Sequence, residues 1–134
     1  MAKLWRDSLL IGVKEVDNQH KELFSRVDKL FEACQLGKGK DEIGNILNFL
    51  EEYVVEHFRS EEDLQLKYNY VDYVSHKAMH DAFIKEVKEL KRQYEQNGET
   101  GYLVVSVNRK VIDWLIEHVG KVDRTLGVFL KDKI

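Results

Sequence analysis

Proline is missing from this 134-residue chain, and cysteine occurs once. Without proline, no residue removes a backbone N–H or forces a ring clash inside a helix, so long uninterrupted helices are favoured. The single cysteine, Cys34, excludes an intramolecular disulfide and fits a reducing compartment, so a cytoplasmic location is expected. No apolar run approaches the ~18 residues of a membrane span. The apolar stretch from Leu9 to Val13 is short, follows Asp7 and precedes no small-residue cleavage site, so neither a membrane segment nor a signal peptide is expected. An excess of one charge is also missing. Lysine and arginine total 21 against 24 acidic residues, a net charge of -3, which is no electrostatic footprint for nucleic acid.

What is present is a soluble composition, 43% hydrophobic and 34% charged. The length suits one domain, residues 1–134, with a real core. Hydrophobic periodicity predicts four helices, over about Asn18 to Leu36, Lys40 to Tyr68, Val71 to Asn97 and Thr100 to His118. Asp17 is the expected N-cap of the first. A short terminal helix is expected from about Lys121 to Leu130, and residues 1–16 read as an ordered arm anchored by Trp5, Leu9 and Leu10. The stripes step by three and four residues, the seam of an antiparallel bundle, and the connections are short. The expected fold is therefore all-α: an up-down-up-down antiparallel four-helix bundle with an N-terminal arm and a short C-terminal helix. Cys34 falls on the first stripe, where its expected role is core packing.

The five histidines all fall on these inner stripes. His57 precedes Glu61 by four residues, and His76 precedes His80 by four. Four helical steps of about 100° return to within about 40°, so each pair shares one face. Up-down-up-down topology puts the start of an odd helix beside the end of an even one. His20, His57 with Glu61, His76 with His80, and His118 should therefore meet at one end of the core. A buried carboxylate such as Glu61 needs a cation or a proton, and mixed imidazole and carboxylate donors suit a borderline first-row metal. His118 and Asp123 are five apart, about 140° on a regular helix. A break at Gly120 is expected to turn Asp123 back towards the cluster. Five imidazoles and two carboxylates are too many donors for one ion and suit two. With both carboxylates and one oxo or hydroxo group bridging, they fill all but one position of two six-coordinate ions. Iron fits such a set best, with manganese, cobalt or zinc able to occupy it.

In order, the pairs H-x-x-x-E, H-x-x-x-H and H-x-x-x-x-D follow the Asp17-Asn18-Gln19-His20-Lys21 stretch. With the His57-Phe58-x-x-Glu61-Glu62 run and Trp114-Leu115-x-x-His118, they make the chain resemble a single-domain bacterial hemerythrin over nearly its whole length. The resemblance implies reversible dioxygen binding at a non-haem diiron centre, for storage, delivery or buffering. It implies that His76, His80 and His118 hold one iron and that His20 and His57 hold the other, which keeps the open position. Glu61 and Asp123 would bridge. Leu23, Phe58, Trp114 and Leu115 match the apolar lining that the family places near the open position. The alternatives are a diiron enzyme consuming oxygen, peroxide or nitric oxide, and an oxygen or redox sensor. Dioxygen is the expected partner, with no nucleic acid and no membrane. No partner protein is indicated.

Overall fold

The structure, a computed structural model, describes residues 4–38, 40–98 and 100–134. Residues 1–3 of the expected arm, and Gly39 after the first helix, lie outside the described residues. Four long helices follow a short 3-10 turn at Asp7–Leu9. They are α1 (Lys14–Gln35), α2 (Lys40–Lys67), α3 (Tyr73–Asn97) and α4 (101–130). Each packs against its sequence neighbours, and α4 closes the bundle against α1. Among the described residues, no helix is long and apolar enough to cross a membrane.

Helix α1 begins about one turn earlier than Asn18. Its N-cap is Val13, and Asp17 lies inside the first turns. The Asp17 carboxylate accepts hydrogen bonds from the Ile11 amide at 2.8 Å and the Gly12 amide at 3.1 Å. It therefore ties the arm to the helix instead of capping it. At the other end, Gly37 takes φ 63°, and the Lys38 amide reaches back to the Ala33 carbonyl at 3.0 Å, closing the helix C-terminus. The start of α4 is capped by Thr100, whose hydroxyl oxygen accepts from the Leu103 amide at 3.0 Å.

The fourth helix is not broken at Gly120. It is α-helical at Gly101–Val107, Trp114–Glu117 and Arg124–Leu130, with π turns at Asn108–Asp113 and His118–Asp123. The backbone stays right-handed helical across every junction. The C-terminal segment Arg124–Leu130 thus continues α4 directly.

Two apolar clusters bracket the histidines. The larger fills the bundle and includes Phe24, Leu47, Leu50, Phe83, Leu90 and Tyr94. Cys34 belongs to it, 1% exposed. The smaller joins Ile11 and Val13 of the arm, Val16, Tyr70 of the α2–α3 turn, and Leu126 and Leu130 of α4. It caps the end of the bundle where the arm, a turn and the C-terminal segment meet. The arm runs close to α4 at Gly127, where a Cβ would lie 2.3 Å from the Ile11 carbonyl oxygen and 2.8 Å from the Ile11 Cβ. Leu9 is buried as expected, whereas Leu10 faces solvent.

Candidate metal centre

Each helix delivers part of one buried cluster. His20 comes from the first third of α1, His57 and Glu61 from the second half of α2, His76 and His80 from the start of α3, and His118 and Asp123 from α4. All seven are 4% exposed or less, a degree of burial that side chains of this polarity tolerate only with close partners.

The side chains form two groups that share their carboxylates. One group is His76, His80 and His118 with Glu61 and Asp123; the other is His20 and His57 with the same two acids. In the first, His118 Nε2 lies 3.2 Å from both His76 Nε2 and His80 Nε2. Glu61 Oε1 is 3.4 Å from the Nε2 atoms of His76 and His80, and Asp123 Oδ1 is 3.0 Å from His76 and 3.2 Å from His118. In the second, Glu61 Oε2 is 2.7 Å from His57 Nε2 and 3.0 Å from His20 Nε2, and Asp123 Oδ2 is 3.1 Å from His20. Each carboxylate gives one oxygen to each group.

The outward ring nitrogens explain why these contacts call for cations. His57 Nδ1 donates to the Gln19 amide oxygen at 2.8 Å, and His80 Nδ1 donates to a Glu62 carboxylate oxygen at 2.9 Å. The Gln65 side-chain nitrogen lies 3.2 Å from His76 Nδ1, while Gln65 Oε1 is buried without a partner. Half a turn of that amide sets its oxygen against Nδ1–H. A ring that donates through Nδ1 carries a lone pair on Nε2. Those lone pairs point at one another and at carboxylate oxygens, acceptor against acceptor. Glu61 Oε1 and Asp123 Oδ1 are buried without a hydrogen-bond donor. Imidazole nitrogens bind first-row ions at about 2.1 Å, which puts adjacent octahedral donors about 3.0 Å apart. The observed spacings fit that requirement, so the residues present suit two metal ions.

Without metal, protons take the same place. Burial lowers the basicity of His20 and His76, but hydrogen bonds and charge from Asp123 and Glu61 outweigh it, and both are raised to about 9. Burial pushes Glu61 and Asp123 up, and for Asp123 the Glu61 charge does too. The surrounding imidazoles nonetheless hold both well below the usual carboxylate range.

Asp123 joins the cluster by a different route from the expected break. The π turn spans its own spacing from His118. Bonds from i to i+5 widen the coil, so residues five apart stack on one face where α geometry would separate them.

Two of the four apolar candidates stack directly on the histidines. Phe58 stacks on His80 with centroids 3.8 Å apart and planes 3° apart, and Trp114 stacks on His118 at 4.3 Å and 10°. Both rings therefore brace the three-histidine side. Leu23 and Leu115 are buried in the larger core cluster.

Sequence reasoning missed the outer layer. The Glu62 side chain is 15% exposed and holds His80. On the same helix Leu64 is half-buried, whereas Gln65 is buried beside His76. The available signal was spacing, since Gln65 continues the four-residue steps of His57 and Glu61. Gln19 carried no such signal.

The hemerythrin HHE cation binding domain matches residues 11–130. The bacteriohemerythrin of Methylococcus capsulatus is 38% identical over 116 residues, spanning 83% of this chain and 82% of that protein. The bacteriohemerythrin of Clostridium acetobutylicum is 30% identical over 124 residues, spanning 90% and 95%. The crystal structure of a wild-type hemerythrin superposes with a TM-score of 0.82 at 35% identity, covering 96% of this chain and 95% of that one.

Proposed function

Because this chain belongs to the hemerythrin family, we propose that it binds dioxygen reversibly at a pair of iron ions held by its seven buried donors. The observation that carries this reading is the division of Glu61 and Asp123, each sharing its two oxygens between a three-histidine and a two-histidine group. A pair of iron ions bound there would supply the electrons that dioxygen takes on binding and returns on release.

The chain's own residues set the asymmetry. His76, His80 and His118 give one side three imidazoles; His20 and His57 give the other side two, so the small ligand enters there. Leu23 and Leu115 exclude water from that side, which protects the bound state from loss. Phe58 and Trp114 hold the His80 and His118 rings in plane. Gln19, Gln65 and Glu62 fix the tautomers of His57, His76 and His80, so that Nε2 faces inward in each.

The chain acts in this reading as a carrier or buffer rather than as an enzyme, in a reducing cytoplasm that keeps Cys34 a thiol. The test is a cycle of uptake and release. Reduced, iron-loaded protein should develop a visible absorption band in air and lose it under argon, with the oxygen recovered unchanged. Steady oxygen consumption in the presence of a reductant would make it an oxidase instead.

A further inference from the structure

The three imidazoles with outward Nδ1 contacts do not have equivalent partners. His57 and His76 face the neutral amides of Gln19 and Gln65, whereas His80 faces the carboxylate of Glu62 at 2.9 Å. A carboxylate is the stronger acceptor. By drawing on the Nδ1 proton it raises electron density at Nε2, the atom that faces the cluster.

Two further observations make this contact more than a surface ion pair. The Glu62 side chain is 15% exposed, so little water competes for it. Its nearby cation, Lys77, feels the Glu62 charge but hydrogen-bonds Asp81 at 3.2 Å. The His80 ring is also held by the flat Phe58 stack, independently of Glu62. Phe58 fixes the plane of the ring, and Glu62 fixes its rotation within that plane.

We propose that Glu62 is a positioning residue that makes His80 the most electron-rich imidazole donor of the cluster, and so tightens the ion on the three-histidine side and holds it oxidised more readily. The proposal rests on the two-ion reading above. Glu61 and Glu62 then divide the work of consecutive helical positions: one carboxylate enters the cluster, and the next reaches around to α3 and sets a ligand from behind.

The test uses the full chain loaded with zinc for NMR and with iron for redox measurements. In the wild-type zinc protein, the Nδ1 proton of His80 should resonate furthest downfield of those on His57, His76 and His80. Glu62→Gln should move that resonance upfield and leave the other two in place. In the iron protein, Glu62→Gln should speed loss of iron to a chelator about tenfold or more and raise the reduction potential. Glu62→Asp, which keeps the charge, should restore the potential towards the wild-type value. An ordinary His80 resonance in the wild-type protein, or unchanged potential and iron loss in Glu62→Gln, would overturn the proposal. A wild-type chain that takes up neither zinc nor iron would overturn the two-ion reading itself, before any variant is compared.

Discussion

His20 and His76 show how a single residue can be read in two states. In the metal-free chain both are raised from 6.5 to about 9 by Asp123 and Glu61. Their contribution to stability is complete below about 6.5 and is lost as pH rises through about 9. Glu61 is shifted the other way, so its contribution is present above 4.5 and fades as pH falls through its depressed folded value. A bound metal needs neutral imidazoles, so it must displace the protons on His20 and His76. Loading at pH 7 should release about two protons per chain, read by calorimetry in buffers of different ionisation enthalpy. Metal affinity should climb with pH up to about 9. Uptake without proton release would show that these two rings are already neutral in the metal-free chain.

At the scale of the element, the π turn at His118–Asp123 solves a register problem. A regular α-helix brings residues four apart onto one face; this turn does it for five. Removing one residue from it should therefore restore α geometry with both ligands still aligned. Lys121 is the residue to delete, because its side chain is 76% exposed. The deletion variant should keep two metal ions per chain by elemental analysis and lose only the wide turn; loss of both ions would mean that the extra residue itself shapes the site. The arm is a second element with a narrow tolerance. Asp17 ties it to α1, Arg124 ties it to α4 through the Ser8 carbonyl, and Gly127 leaves room for Ile11. Gly127→Ala should push the arm away and cost about 1–3 kcal/mol in a denaturation midpoint. Faster hydrogen exchange at the Ile11 and Gly12 amides would locate the effect, and a midpoint equal to wild type would refute it.

For the molecule as a whole, the metal centre is a liability that its ligand turns into an asset. Two carboxylates and five imidazoles lie in a core whose other described side chains are apolar apart from Asp17, Gln65 and Ser106. Emptied, they must be charged and paired; filled, every inward acceptor meets a cation. At a metal concentration one hundred times the dissociation constant, each site should add about 2.7 kcal/mol, or roughly 10 °C in Tm for a domain of this size. Thermal unfolding with iron or zinc, and again after chelation, measures this. A Tm indifferent to metal would mean that the cluster is held by protons alone.

Four helices, their seams and six of the seven donors follow from spacing along the chain, because a helix repeats about every 3.6 residues and any side chain on the repeat must face inward. His57 with Glu61, and His76 with His80, are legible for that reason. Asp123 was legible as a candidate but not in its mechanism, since a π turn depends on what the widened coil gains from its surroundings. Of the outer partners, Gln65 keeps the four-residue step of His57 and Glu61, but its contact with His76 is not legible in the sequence, and neither are those of Gln19 and Glu62. Which polar residue meets an Nδ1 depends on how an imidazole is rotated in the packed bundle, and no periodicity encodes that rotation. Local pattern therefore set the elements and the chemistry of the donors. Packing alone set the split of each carboxylate between two groups, because that split requires four helices to arrive at one point with ångström accuracy.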